Sequence, residues 1–333
     1  MYQDWKKSGK FVLLIMMIIC GLFTGPLRVQ AGTAANSCNV KWKQSAKKTI
    51  EIRPGETGSI PVEITKKDRV KKVTWRSSDK SVASVNSSTG KITGKKPGKA
   101  VITVTVTWDN NVKKSINRKI WVKIRILIGG HKNSGDLLTK YLEGENVMLY
   151  FGTTKKPELF DALILPPGII PGRDKETDRR QKKLIEMFVE EDKPVLGVCR
   201  GMELLTLKYG GKLNKKKDID IHHKDNADGS GYRIVSPEKK YCNDKNSVLY
   251  GTANRFLTLH SHSKYCVKVP KGFVVTARDV SDGTIEAIQH KTKHIYGIQW
   301  HPELGIYRDS NNAKIFNNFI RIACRDAARR GKR

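Results

Sequence analysis

From residue 124 onward, the apolar residues of this chain form short continuous runs that alternate with amphipathic stretches. Runs that are apolar at nearly every position are typical of strands buried on both faces of a sheet. They lie at residues 126–128, 147–151, 162–165 and 194–198. The longest amphipathic stretch, residues 178–191, has one apolar face, which is typical of a helix packed on such a sheet. The alternation predicts a mostly parallel α/β sheet with helices on both faces and a functional site at the carboxyl ends of the strands.

Residues 46–123 follow a different pattern, in which apolar and polar residues alternate within short segments. These segments are rich in Val, Ile and Thr and are separated by turn residues, so they predict a small antiparallel β-sandwich. Several of them resemble a bacterial immunoglobulin-like (Ig-like) domain of group 2. They are Pro54–Thr57, Val73–Asp79, Ser81–Val85, Gly90–Gly94 and Gly98–Ala100. The resemblance implies a spacer or an adhesive unit of a surface or secreted protein, and we prefer the spacer.

No linker rich in proline, glycine or serine separates the two patterns. Residues 120–124 run almost directly into the first apolar run of the second pattern. We therefore predict an Ig-like domain over residues 46–123 and an α/β domain over residues 124–330, with the two held close together.

The first residues have the features of an export signal. Three lysines among the first ten residues precede an apolar run over residues 11–23, whose length suits a signal core better than a membrane span. Small or apolar residues at positions 29–31 offer a cleavage site. We predict a signal peptide at residues 1–31, a secreted or cell-surface protein, and no transmembrane segment after cleavage. An uncleaved anchor is the alternative.

The chain is strongly basic. It carries 63 Lys and Arg against 32 Asp and Glu, a net charge of +31, and +28 remains without residues 1–31, which hold four basic residues and one acidic residue. Such a balance predicts an anionic partner, and for an exported protein we expect a cell-wall polymer or lipid head groups. Most of the lysines are scattered in pairs rather than gathered in a groove, so we expect no specific nucleic-acid binding.

Five cysteines follow residue 31, at positions 38, 199, 242, 266 and 324. Their odd number, wide spacing and lack of a Cys-x-x-Cys pair argue against a disulfide framework and against a zinc site. They leave room for one pair, such as Cys242 with Cys266, and for one thiol that is free for chemistry.

Cys199 has the sequence surroundings of a nucleophile. The strand predicted over residues 194–198 delivers it to a tight turn, and a predicted helix follows at once. Gly197 and Gly201 flank it, as a strained strand-turn-helix elbow requires. The N-terminus of a helix favours a thiolate, and Arg200 adds positive charge. On this segment alone, a buried structural cysteine between two glycines is an equal alternative.

A second segment supplies the base that such a nucleophile needs. Residues 295–300 predict a strand that leads into His301, Pro302 and Glu303. A cysteine nucleophile requires a base to take its proton, and that base requires a partner that fixes its tautomer. We therefore predict a catalytic triad of Cys199, His301 and Glu303 at the ends of two strands of one sheet.

Together these segments resemble the class I glutamine amidotransferase-like superfamily, and within it the γ-glutamyl-γ-aminobutyrate hydrolase branch of cysteine peptidases. The resemblance rests on the Cys-Arg-Gly triplet at 199–201 and on residues 282–288 and 297–303. It extends from about residue 124 to a terminal helix near residues 315–328.

The resemblance implies a flavodoxin-like amidotransferase fold. It also implies attack of Cys199 on a γ-glutamyl amide bond in a small compound or peptide, followed by hydrolysis of an acyl-enzyme. Two backbone N–H groups would form the oxyanion hole, one at Arg200 and one in the loop after Leu165. The family needs no metal and no cofactor, and we expect none.

Three departures from the family pattern concern the oxyanion loop and substrate recognition. Pro167 replaces the first glycine of a Pro-Gly-Gly loop, and because proline has no N–H, Gly168 must supply the second oxyanion donor. Glu203 replaces a glutamine and puts an anion near the substrate head group. His262 also replaces a glutamine, whereas His260 keeps the first histidine of its motif. We predict that Glu203, His260 and His262 bind the substrate, with a cationic group of the substrate near Glu203.

His222 and His223, with aspartates at positions 218, 220 and 225, have some features of a metal cluster. No glutamate or cysteine completes the cluster at ligand spacing. We therefore interpret the segment as a solvated polar loop.

The leading hypothesis is a secreted cysteine amidohydrolase that cleaves γ-glutamyl amide bonds. The alternative is a catalytically degraded surface protein that binds or adheres, which the residues at positions 167, 203 and 262 keep open. A glutaminase that feeds ammonia to a synthetase is less favoured, because free ammonia has little use outside the cell.

Overall fold

The computed structural model describes residues 37–43, 49–130, 136–142, 146–214 and 231–331. The described residues from Cys38 onward belong to one compact unit. The predicted signal peptide and the polar loop around His222 and His223 lie outside the described residues. Among the described residues, the structure contains no helix with the length and hydrophobicity of a membrane span.

The N-terminal part of this unit is a β-sandwich. Its strands are β1 (Val40–Trp42), β2 (Thr49–Ile52), β3 (Thr57–Gly58), β4 (Val62–Ile64), β5 (Val70–Ser77), β6 (Ala83–Val85), β7 (Ile92–Gly94), β8 (Gly98–Trp108) and β9 (Lys113–Val122). One sheet has the strand order β2-β9-β8-β5, another has the order β3-β7-β6, and β1 pairs with β4. Every second residue of β8 from Ala100 to Trp108 is buried, because one face of the strand lies on the core. The predicted Ig-like sandwich is confirmed, and β1 begins before residue 46.

One strand pair departs from the antiparallel pattern. β2 runs parallel to β9, although the alternating segments predicted an antiparallel sandwich. A parallel pair needs a long connection between its strands, and here strands β3 to β8 form that connection. Alternation shows which face of a strand is buried but not the direction of its neighbour.

The C-terminal part is an α/β domain. Its elements are β10 (Ile124–Ile128), α1 (Asp136–Leu142), β11 (Val147–Phe151), β12 (Ala162–Leu165), α2 (Lys175–Glu190), β13 (Val195–Val198), α3 (Arg200–Lys208), β14 (Lys212–Leu213), β15 (Gly231–Pro237), α4 (Lys239–Asn243), β16 (Phe256–His260), β17 (Cys266–Lys268), β18 (Phe273–Asp279), β19 (Ile285–His290), β20 (Ile295–Ile298), α5 (Pro302–Gly305) and α6 (Asn311–Arg330). They form one large sheet with the order β11-β10-β12-β13-β20-β19-β18-β15-β16, and β14 and β17 lie off this path.

The two halves of this sheet differ in direction. Strands β11, β10, β12, β13 and β20 are parallel to one another. From β20 through β19, β18 and β15 to β16, the pairs are antiparallel. The predicted parallel sheet with helices on both faces therefore corresponds to the first half, which carries the elbow and the His-Pro-Glu segment.

Both faces of the parallel half are covered. Ile124, Ile126 and Ile128 of β10 belong to a buried cluster with residues of α1 and α6. Leu127 points the other way, into a cluster with residues of α2 and α3. Because each strand is buried on both faces, nearly all of its residues are apolar, as the sequence pattern indicated.

The two domains contact each other directly. Arg53 donates a hydrogen bond from Nη1 to the carbonyl oxygen of Glu158 at 2.8 Å and lies 3.9 Å from a carboxylate oxygen of Asp161. Gly55 lies against Gly331, just after α6, so closely that a Cβ atom on Gly331 would be 2.4 Å from the Cα atom of Gly55. Strand β9 ends at Val122 and β10 begins two residues later, which leaves almost no linker between the domains.

The suggested pairing of Cys242 with Cys266 is wrong. All five cysteines of the described residues are free, buried thiols. Cys242 lies in α4 and contacts the hydroxyl group of Thr252 at 3.5 Å, whereas Cys266 lies in β17 and contacts the carbonyl oxygen of Lys268 at 3.3 Å. Spacing along the sequence does not report the distance between Cβ atoms, which decides whether a disulfide forms.

Candidate active site

The strand-turn-helix elbow predicted around Cys199 is present. Cys199 lies between β13 and α3 with φ 49° and ψ −107°, a conformation that a non-glycine residue adopts only when the surrounding structure holds it. Its backbone N–H donates to the carbonyl oxygen of Ile298 in the neighbouring strand at 2.7 Å. The elbow therefore presents the thiol at the carboxyl end of the parallel sheet, beside the first turn of a helix.

The two glycines of the elbow permit close contacts. A Cβ atom on Gly197 would lie 2.5 Å from the carbonyl carbon and oxygen of Gly201, and one on Gly201 would lie 2.4 Å from the carbonyl oxygen of Leu165. Neither backbone can carry a side chain without moving a strand or the helix. The Gly-x-Cys-x-Gly pattern is therefore explained by the packing of the elbow on its own helix and on β12.

His301 reaches the same end of the sheet from the neighbouring strand. β13 and β20 are parallel and in register, and His301 follows β20 by three residues. Its backbone N–H donates to the carbonyl oxygen of Leu259 at 2.8 Å. Its ring Nδ1 and a carboxylate oxygen of Glu303 are 2.7 Å apart. Because a carboxylate accepts hydrogen bonds, the proton lies on Nδ1, and Nε2 is the nitrogen that remains to exchange a proton with a thiol.

The electrostatic surroundings of His301 favour the imidazolium form. Burial alone lowers the pKa of His301, but the negative charges of Cys199 and Glu303 outweigh it and raise the pKa well above the ordinary histidine value. Nε2 is buried and makes no hydrogen bond of ordinary length within the described residues, while Cys199 lies near enough to His301 to raise its pKa. The three predicted triad residues thus lie together, with an acidic partner on one side of the imidazole and the thiol on the other.

The side chain of Arg200 is directed to the loop after β12. Its guanidinium group contacts the side chains of Asp178 and Gln181 of α2, and its Nε donates to the carbonyl oxygen of Ile169 at 2.6 Å. The sequence analysis expected its charge to act on the thiol, whereas the structure pairs that charge with Asp178. Arg200 therefore fixes the loop that contains Gly168.

The two predicted oxyanion donors are the backbone N–H of Arg200 itself and that of Gly168, which lies next to the Arg200 side chain. Arg200 is the first residue of α3, and backbone N–H groups in the first turn of a helix have no partner within the helix. Gly168 is exposed, and a Cβ atom there would lie 3.3 Å from Cδ of Arg200. The structure brings the two residues together, and their role in an oxyanion hole stays a prediction.

Glu203 lies in the second half of the first turn of α3 and is 2% exposed. Its Oε1 accepts a hydrogen bond from Nε2 of Gln299 at 3.3 Å. Burial raises the pKa of Glu203 to about 7, although Gln299 and the positive charges of Arg200 and Lys264 act in the opposite direction. The residue is close enough to His301 for their charges to interact, and its role in substrate binding stays a prediction.

His260 and His262 lie at the end of β16 and just after it, and both are buried. The residue between them, Ser261, places its carbonyl oxygen 4.0 Å from the sulfur of Cys199. The two imidazoles form a buried cluster with Glu286 of β19. The structure thus places the residue between the two histidines beside the thiol, and direct contact of the histidines with a substrate stays a prediction.

Sequence analysis missed the residues whose side chains contact and position the predicted site residues. Asp178, Gln181 and Gln299 support the predicted residues, and none of them stands in a catalytic motif. Glu286 lies within the 282–288 segment, where a glutamate in an otherwise apolar strand was the available signal. Burial raises the pKa of Glu286 well above its ordinary value, and Asp279 and Asp282 act in the same direction.

Comparison with known proteins agrees with this architecture. The family Glutamine amidotransferase class-I matches residues 141–322, and the family Bacterial Ig-like domain (group 2) matches residues 30–116. A subunit of the glutamine-hydrolysing GMP synthase of Methanothrix thermoacetophila is 32% identical over 162 residues, which are 49% of this chain and 79% of that protein. Anthranilate synthase component 2 of Thermococcus kodakarensis is 30% identical over 165 residues, 49% of this chain and 77% of that protein.

Among solved structures, a glutamine amidotransferase from Thermotoga maritima has a TM-score of 0.44 and 16% identity, and the match covers 63% of this chain and 92% of that one. The resemblance to the narrower γ-glutamyl-γ-aminobutyrate hydrolase branch stays a prediction. The family match over residues 141–322, more than half of the chain, together with the elbow and the histidine on the adjacent strand, shows that the chain belongs to the class-I glutamine amidotransferase family, and the second family match shows that it carries a bacterial Ig-like domain of group 2.

Proposed function

We propose that this protein is a cysteine amidohydrolase that cleaves the γ-carboxamide bond of glutamine or of a related γ-glutamyl amide. One observation carries the proposal. The Cys199 thiol, the His301 imidazole and the Glu303 carboxylate lie together at the ends of β13 and β20. This is the arrangement in which a thiolate can attack a carbonyl group while a positioned imidazolium donates a proton.

In the first half of the proposed reaction, the thiolate of Cys199 attacks the γ-carbonyl carbon. The carbonyl oxygen becomes negatively charged and accepts hydrogen bonds from the backbone N–H groups of Arg200 and Gly168. The C–N bond then breaks. His301 gives its Nε2 proton to the departing amine or ammonia, and a γ-glutamyl thioester remains on Cys199.

In the second half, a water molecule attacks the thioester carbonyl group. His301, now neutral, takes a proton from this water, and Glu303 stabilises the imidazolium that forms. The C–S bond breaks, glutamate or its derivative leaves, and the thiolate–imidazolium pair is restored. No cofactor takes part in these steps.

We propose that Glu203 influences which γ-glutamyl compound is accepted. Its carboxylate is buried within the range of charge interactions with His301, where the family pattern has an uncharged amide. A substrate with a cationic group would offset that buried negative charge. Turnover or inhibition by cationic γ-glutamyl amides that is the same in Glu203→Gln would contradict this part of the proposal.

We further propose that the protein acts outside the cell and that its basic surface contacts anionic cell-wall polymers. The support is the leader-like segment at residues 1–31, the net charge of +31 and the Ig-like domain, which the resemblance associates with surface proteins. The mature protein in the culture medium or cell wall should begin near Gly32. Retention of the full chain in the cell would contradict secretion, and salt-insensitive binding would contradict a charge-driven contact.

The decisive experiment for the activity is covalent labelling of the purified protein with a thiol-reactive glutamine analogue. We expect about one label per chain, lost in Cys199→Ala and kept in the control Cys266→Ala, since Cys266 is also a buried, free thiol. Hydrolysis of glutamine and of a panel of γ-glutamyl amides is measured in parallel. Labelling that persists in Cys199→Ala would refute the assignment of the nucleophile.

The second candidate function is a surface binding protein without activity. Pro167 in the oxyanion loop and the buried charge of Glu203 favour it, because both depart from the family pattern at the site. The absence of labelling together with the absence of turnover on every γ-glutamyl compound in the panel would support this candidate.

A further inference from the structure

Two histidines and a glutamate converge in the wall of the candidate active site. His260 and His262 flank Ser261, whose carbonyl oxygen lies 4.0 Å from the sulfur of Cys199. Glu286 approaches them from β19. One nitrogen of each imidazole and one oxygen of the carboxylate lie within 4.8 Å of one another, and all three residues are buried.

The outer nitrogens of both imidazoles are bound to protein acceptors. Nε2 of His260 lies 2.8 Å from Oγ1 of Thr258, and this hydroxyl group gives its own proton to the carbonyl oxygen of Arg233 at 3.0 Å. His260 therefore donates from Nε2. Nδ1 of His262 lies 2.9 Å from the carbonyl oxygen of Lys264, which only accepts, so His262 donates from Nδ1.

These two hydrogen bonds determine which nitrogen of each imidazole faces Glu286 without a proton. A neutral imidazole carries one ring proton, so two neutral rings would direct the lone pairs of Nδ1 of His260 and Nε2 of His262, which lie 3.1 Å apart, toward each other and toward Glu286. Only a proton or a cation bound among these atoms offsets the repulsion between the lone pairs. Histidines that bind metal ions have this arrangement, in which the second nitrogen donates to a protein oxygen and thereby fixes the tautomer and the orientation of the ring.

The distances among the three inner atoms fit one small ion. Nδ1 of His260 is 3.1 Å from Nε2 of His262 and 3.4 Å from Oε2 of Glu286, and the third distance, from His262 to Glu286, is 3.9 Å. Ligands about 2.0–2.1 Å from a tetrahedral zinc ion are about 3.3 Å from one another. The cluster therefore needs shifts of only tenths of an ångström to surround such an ion.

Glu286 supplies a second, independent observation. It is fully buried, and within the described part of the chain its Oε2 accepts no hydrogen bond. Its other oxygen accepts one from the hydroxyl group of Thr284 at 3.1 Å. A buried carboxyl group is paired, is protonated or binds a metal ion, because the loss of hydration of the charged form is otherwise uncompensated.

We propose that His260, His262 and Glu286 bind a divalent transition-metal ion of the zinc type. Imidazole and carboxylate are suitable ligands for such ions, and three protein ligands leave one coordination position open. The ion joins the end of β16 to β19 and holds the Ser261 carbonyl oxygen beside the sulfur of Cys199. The sequence analysis, which considered only the His222 segment, expected no metal.

The test is the metal content of the full chain, measured in a Cys199→Ala background so that the active-site thiol does not contribute. Protein is stripped with a chelator, loaded with Zn²⁺, dialysed and analysed for metal. We expect about one bound zinc ion per chain in the background protein and in the control His290→Ala, which removes an imidazole from the same strand as Glu286. Glu286→Gln and His262→Ala should each lose it, with binding weakened at least about 100-fold.

A second measurement does not depend on the folding of any variant. Co²⁺ added to the background protein should give the intense visible absorption of four-coordinate cobalt, and Zn²⁺ should abolish it. A spectrum of six-coordinate cobalt only would overturn the proposal, and so would equal zinc retention in Glu286→Gln, His262→Ala and the background protein. Either result would mean that His260, His262 and Glu286 share a proton instead of a metal ion. Neither measurement involves turnover, so failure of the proposed enzymatic function would leave this test intact.

Discussion

Gly201, the second residue of α3, lies so close to Leu165 at the end of β12 that a Cβ atom on the glycine would be 2.4 Å from the leucine carbonyl oxygen. The contact presses the helix that follows Cys199 onto the strand that leads to the oxyanion loop. It therefore ties the position of the candidate nucleophile to that of Gly168.

Gly201→Ala should destabilise the protein, because backbone atoms rather than a flexible side chain occupy the space of the new methyl group. We expect a loss of about 1–3 kcal/mol in the free energy of unfolding, together with reduced thiol labelling. Denaturant titration measures the first and the glutamine analogue measures the second. The matched control is Gly58→Ala, where a Cβ atom would meet nothing within 4 Å. Equal stability of the two variants would contradict the packing argument.

Glu303→Gln should reduce turnover and shift its pH dependence. The carboxylate fixes the Nδ1 proton of His301 at 2.7 Å and, with Cys199, raises the pKa of His301 well above its ordinary value. Without this charge the pKa of His301 falls, so the imidazolium is lost at lower pH. We expect kcat to drop by about 10²–10⁴-fold and the alkaline limb of the kcat profile to move to lower pH. An unshifted limb would show that Glu303 does not act on His301.

Glu203→Gln should make the protein more stable at alkaline pH. Burial raises the pKa of Glu203 to about 7 from an ordinary value of 4.5, so the folded state binds more protons than the unfolded state between these values. Stability contributed by this group is therefore lost as pH rises through that window. The variant should exceed the wild type by about 3 kcal/mol near pH 8 and by little below pH 4.5. Denaturant titration at several pH values measures this.

The control for that experiment is Glu190→Gln, because Glu190 is an exposed carboxyl group on α2. It should change stability by less than about 0.5 kcal/mol at any pH. A stability difference for Glu203→Gln that does not vary with pH would mean that the carboxyl group of Glu203 does not titrate as a buried group.

Arg200→Lys should impair catalysis while leaving the backbone N–H of residue 200 in place. A lysine cannot contact Asp178, Gln181 and the Ile169 carbonyl oxygen together, because it lacks the planar fork of the guanidinium group. The loop that carries Gly168 should then lose its fixed position. We expect kcat to fall by about 10- to 100-fold, with a smaller change in KM. Arg179→Lys, on an exposed arginine paired with Glu176, is the control, and equal kinetics for both variants would refute a positioning role for Arg200.

Local sequence patterns determined much of this protein. Continuous apolar runs predicted strands β11, β12 and β13, since a strand buried on both faces needs apolar residues at every position. The glycines around Cys199 predicted the elbow because a side chain at either position would clash. The His301-Pro302-Glu303 segment predicted a base and its partner, which lie only two residues apart and so depend little on the rest of the fold.

Tertiary structure decided what depends on contacts between distant segments. It made β2 parallel to β9, left Cys242 and Cys266 as separate thiols, and directed the Arg200 side chain to Asp178. It also brought Glu286 to His260 and His262 across β16 and β19, which no spacing in the sequence could indicate. Patterns report how each residue relates to its own strand or helix, whereas the order and packing of strands determine which buried charges meet and which tautomers their hydrogen bonds select.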